Sequence, residues 1–86
     1  MNIEKTCADA IAVVERYLAG DMYRCQRITE FNEAQGAVVK AWASVTEGHR
    51  SKSYKLCRTA WNACLAAKND KRIIAKTYVA EFRGSV

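Results

Sequence analysis

Proline is absent from the 86 residues, histidine occurs once and glycine four times. The missing proline removes the strongest helix breaker. A single histidine, His49, and the lack of any C-x-x-C pair exclude the common zinc-site spacings. The loop-like segment Glu47-Gly48-His49-Arg50-Ser51 has one glycine, so it is no glycine-rich phosphate loop. The longest apolar runs, Ala10–Val14 and Ala63–Ala67, are five residues long. Crossing a bilayer takes roughly twenty. The start, Met1-Asn2-Ile3-Glu4-Lys5, places an acid where a secretory leader needs an apolar segment, and no lipidation motif is present. A cytoplasmic location, or the cytosol of a host, is the resulting expectation.

What is present points to a packed helical chain. Half of the residues are hydrophobic and 27% are charged. That is too apolar for a disordered tail, and the length suits one domain spanning 1–86. Alanine, the best helix former, occurs 14 times. Apolar residues recur at helical spacing through four segments, roughly 3–19, 22–47, 52–68 and 71–83. Three glycines, at 20, 48 and 84, fall where these patterns stop.

Local signals sharpen the boundaries. Asn2 is placed to cap the first segment, with Lys5 and Asp9 as an i,i+4 pair on its outer face. Asp21 is expected to cap the second, whose inward line is read as Cys25, Ile28, Phe31, Val38, Trp42 and Val45. Gln35 interrupts that line beside Gly36. A glycine inside a helix costs about 1 kcal/mol, so the segment either runs through as one helix, the favoured reading, or bends near Gly36. Ser51 or Ser53 can cap the third segment. Its apolar face is wide (Tyr54, Leu56, Cys57, Ala60, Trp61, Ala63, Cys64 and Ala67), and this width implies more than one neighbour. Asn69 is expected in the left-handed turn position, with Asp70 capping a fourth helix that carries Ile74, Ala75, Tyr78, Val79 and Phe82 inward. No stretch alternates as a strand does. The fold class is therefore all-α, a small bundle of about four helices, with a dimer left open by the width of the third helix.

The four cysteines, at 7, 25, 57 and 64, read as small buried hydrophobes. On one helix Cys57 and Cys64 stand about 10 Å apart, too far for a disulfide or a shared zinc ion.

Charge is unevenly divided. Residues 1–48 hold five basic and seven acidic residues, a balance of −2, whereas residues 49–86 hold nine basic and two acidic, a balance of +7. The nine are Arg50, Lys52, Lys55, Arg58, Lys68, Lys71, Arg72, Lys76 and Arg83. Lys52, Lys55, Arg58 and Asn62 share a stripe of the third helix, and Arg72, Lys76 and Arg83 an outer stripe of the fourth. Antiparallel packing would let the two merge into one polyanion-binding face.

Other chemistries find less support. A helix-turn-helix reader would use the third and fourth helices, but the turn lacks glycine and the fourth helix has few side chains able to read base edges. Base stacking would need exposed aromatics, and Tyr54 and Tyr78 lie on apolar faces, leaving Tyr23 the freest. The segment Lys52–Lys68 resembles a membrane-surface or groove-binding helix, but its apolar face is needed by the core. His49 has no paired nucleophile, and Glu30 and Glu33 are expected to have no basic or metal-ligating partner at a spacing that gives them a role. The expectation is a non-enzymatic binding or regulatory protein. It needs neither cofactor nor metal, and its basic half contacts nucleic acid, a nucleotide ligand or a nucleoprotein. The alternative is an inhibitor or adaptor of the phage or mobile-element accessory type, which would bind an acidic face of a host protein.

Overall fold

The Asn2 side chain accepts a hydrogen bond from the Lys5 amide at 3.0 Å, satisfying one of the free donors that begin a helix. The helix it starts is α1, Ile3–Leu18, and Lys5 pairs with Asp9 across one turn at 3.1 Å. Just beyond its C-cap Ala19 comes Gly20, whose φ of +80° lies in the left-handed region where a side chain would strain the backbone. The computed structural model describes residues 2–86, and among these α2 (Arg24–Ala43), α3 (Lys52–Lys68) and α4 (Arg72–Ser85) follow, with no strand.

α2 runs unbroken through Gly36, where an added Cβ would meet open space. It is shorter than the 22–47 of the sequence reading. Asp21 does not cap it: Tyr23 is the N-cap residue, and its amide donates to the Gln26 side-chain oxygen at 3.2 Å. The expected inward line holds in part: Phe31 and Val38 are buried, and Trp42 and Val45 pack against the core. Phe31, Gln35, Val38 and Ala41 face inward, whereas Cys25 and Ile28 are exposed. Gln35 therefore continues the buried line that it was expected to break. Ser51 caps α3, accepting from the Tyr54 amide at 3.1 Å. In the turn that follows, Asp70 rather than Asn69 takes the left-handed conformation, at φ 58°. Asp70 does not cap α4; its carboxylate is held elsewhere. Gly84 lies within the last turn of α4 and does not end it.

The arrangement follows from α3. Its buried residues are mostly alanine and cysteine, so three neighbours approach its backbone closely. α1, α2 and α4 all pack on it, α1 also touches α2 and α4, and α2 and α4 occupy opposite flanks without packing on each other. The wide apolar face that left a dimer open is covered within the chain: Cys57, Ala60, Ala63, Cys64 and Ala67 are fully buried. Phe31 of α2 and Phe82 of α4 are the largest wholly buried side chains and close the core from either flank. On α4 only Ala75 and Phe82 are buried. Tyr78 and Val79 are half-buried, and Ile74 is turned largely outward. The radius of gyration, 12.0 Å, is that of a compact chain of this length.

Three of the four cysteines meet the expectation of burial, and Cys25 does not. Cys7 of α1 and Cys57 of α3 place their Sγ atoms 3.7 Å apart, a contact between helices that spacing along the chain could not reveal. Burial pushes the Cys7 and Cys64 thiols up to about 12 and raises Cys57 as well. At neutral pH all three are protonated thiols, poor both as nucleophiles and as metal ligands.

Candidate polyanion interface

α3 and α4 run antiparallel: Thr59 Oγ1 donates to Glu81 Oε1 at 3.4 Å, well away from the turn that joins the two helices. Helices that stay side by side do not splay as a helix-turn-helix unit does. The two basic stripes nevertheless do not merge. Asn62 lines a shallow groove with Leu65, Ala66, Ile74 and Tyr78, so the outer stripe of α3 adjoins one flank of α4. Arg72, Lys76 and Arg83 lie on the other flank, turned toward α1.

Two of those three are already engaged. The Arg72 guanidinium donates to the Leu18 carbonyl at 2.6 Å and to that of Tyr17 at 3.5 Å, and lies 5.3 Å from the Tyr17 ring centroid. It thereby satisfies the open carbonyls at the end of α1, where a cation is favoured. Arg83 pairs with Glu15 of α1 at 2.6 Å, and this carboxylate holds its pKa above the ordinary arginine value. Around Arg72 sits a polar cluster that sequence reasoning missed. Tyr17 Oη donates to Asp70 Oδ1, and Arg27 of α2 stands 3.8 Å from Asp70 Oδ2. The Tyr17 hydrogen bond, followed by Arg27 and Arg72, keeps the Asp70 carboxyl below the ordinary aspartate value, while burial and Asp70 raise Tyr17. The left-handed Asp70 thus ties the α3–α4 turn to α1 and α2.

The other seven cations, Arg50, Lys52, Lys55, Arg58, Lys68, Lys71 and Lys76, have no carboxylate within 4.0 Å among the described residues. Lys52, Lys55 and Arg58 are exposed along one side of α3, with Arg50 just before it. Its first turn contains no acid. Lys68 and Lys71 flank the turn, and Lys76 borders a hollow with Leu18, Arg72 and Ile73.

The acidic half has its own groove, about 440 Å³, between α1 and α2. Asp9, Glu30 and Glu33 rim it over a floor that includes Ala10, Val13 and Ala34. Glu30, for which no basic partner was expected, meets Arg16 of α1 at 3.5 Å. Among the described residues no group of three His, Cys, Asp or Glu side chains could hold a metal ion, and no helix is long and apolar enough to cross a membrane. No protein-family model, no curated protein and no solved structure matches the chain.

Proposed function

We propose that the chain is a small binding module, not a catalyst, whose basic second half contacts nucleic acid through phosphate. The observation that supports this reading is the start of α3. Lys52 and Lys55 stand exposed in its first turns, Arg58 follows on the same side, and no carboxylate offsets them. A cation at a helix N-terminus opposes the macrodipole by about 0.3–1 kcal/mol, whereas a phosphate there is favoured by both the dipole and the side chains. Lys52, Lys55 and Arg58 are the principal contacts, with Arg50, Lys68 and Lys71 as outer ones; Lys76 stands on the far flank of α4. Arg72 and Arg83 hold α4 against α1 instead. A cytosolic location belongs to this reading.

Fluorescence anisotropy with labelled oligonucleotides between 50 and 200 mM salt tests it. Three phosphate contacts give a slope of log affinity against log salt of about −2 to −3, and Arg58→Ala reduces that slope by about 1. Failure to bind any oligonucleotide at 50 mM salt overturns the proposal. An acidic host protein is the second reading, favoured by Ile73. This side chain is 83% exposed beside Arg72 and Lys76, an apolar tip among cations that suits a pocket with an acidic rim. Capture of a protein from host lysate that survives nuclease and is lost on Ile73→Asp supports that alternative.

A further inference from the structure

We propose that the corner between α2 and α3 receives an unstacked base of single-stranded nucleic acid; this rests on the polyanion reading above. Three rings meet at that corner. Trp42, near the end of α2, contacts Tyr54, in the first turn of α3, edge to face, with centroids 5.3 Å apart and planes at 82°. Tyr54 contacts His49, in the connecting loop, in the same manner at 6.1 Å and 70°. Trp42 packs against the core and is half-buried, as is Tyr54, whereas His49 is exposed, so the base is placed at the His49 end of the series.

The surroundings favour a nucleic acid over another planar ligand. Arg50 follows His49 directly, Lys55 follows Tyr54, and neither has a carboxylate partner among the described residues. Phosphates on either side of a stacked base would therefore meet unpaired cations. Bases in a duplex are already stacked and paired, so only a single strand presents a free face. The other candidate rings lack this combination. Tyr23 is 77% exposed but has no neighbouring ring, Tyr78 lies in the α3–α4 groove, and Tyr17 and Phe31 pack on each other in the core. The rings and the unpaired cations come from separate elements, α2, the loop and α3, so their coincidence is a property of the fold.

The test uses the full chain, with an unchanged circular-dichroism melt of each variant as the check on folding. A twelve-residue thymidine strand is compared with a twelve-base-pair duplex at 50 mM salt. The single strand is expected to bind more tightly than the duplex. His49→Ala weakens single-strand binding by about fivefold or more, as the loss of one stacked base does, while duplex binding is unchanged. His49→Phe restores it. Equal affinity for strand and duplex, or an equal effect of His49→Ala on both, overturns this inference and leaves the polyanion reading standing. Binding of neither overturns both.

Discussion

Removing Arg72 should cost stability, and removing Arg58 should not, although both are basic residues of the same charged half. Arg72 closes the end of α1 through its 2.6 Å hydrogen bond to the Leu18 carbonyl and its placement over the Tyr17 ring. A hydrogen bond from a charged donor contributes about 1.5 kcal/mol at the low end suited to an exposed site, with about 0.5 kcal/mol each from the ring and from the helix dipole. Allowing for non-additivity, Arg72→Ala should cost about 2 kcal/mol. In a chain of this size 1 kcal/mol shifts the melting temperature by about 4–8 °C, so the expected fall is about 8–16 °C. Arg58 is exposed without an acidic partner, and Arg58→Ala should stay within about 0.5 kcal/mol of the parent. Arg72→Lys keeps the charge but loses the planar fork, and should recover only part of the loss. Thermal melts followed at 222 nm measure all three. Equal melting temperatures for Arg72→Ala and Arg58→Ala would refute the assignment of Arg72 to the fold and return it to the binding surface.

Phe82→Ala should destabilise by about 3–5 kcal/mol, because a wholly buried ring on a flank helix leaves a cavity; a urea midpoint near that of the parent would contradict the packing of α4. Of the four thiols only Cys25 should react rapidly with a thiol reagent in the folded state, and a second fast equivalent would show that Cys7, Cys57 or Cys64 is not buried in the core. Stability should fall as pH rises above 9. The folded Cys7 and Cys64 thiols titrate near 12 against the ordinary 9.0, so between those values the folded state binds more protons than the unfolded one. Urea midpoints that stay flat from pH 8 to pH 11 would argue against their burial. In acid the sign reverses for Asp70, whose lowered carboxyl contributes stability above its ordinary value of 3.8 that is lost as pH falls. Asp70→Asn should flatten that part of the profile.

The sequence by itself determined the four helices and most of their limits, because the deciding interactions are local. Asn2 and Ser51 cap the helices that follow them, the i,i+4 pair Lys5–Asp9 forms, and Gly20 supplies the left-handed stop. It also determined the asymmetry of charge, which is only a count along the chain. Neighbours determined the rest. Gln35 and Cys25 exchanged their expected places because the buried side of α2 is chosen by where α1 and α3 lie, and spacing alone fits either choice. Asp70 took the turn position expected of Asn69 because Tyr17 and Arg27, far away in sequence, hold its carboxylate. The basic stripes of α3 and α4 stand apart because Glu15 and the carbonyl end of α1 draw Arg83 and Arg72 to the opposite flank. Which cations remain free for a ligand is thus a tertiary property: a charge is available only where folding has not brought a partner to it.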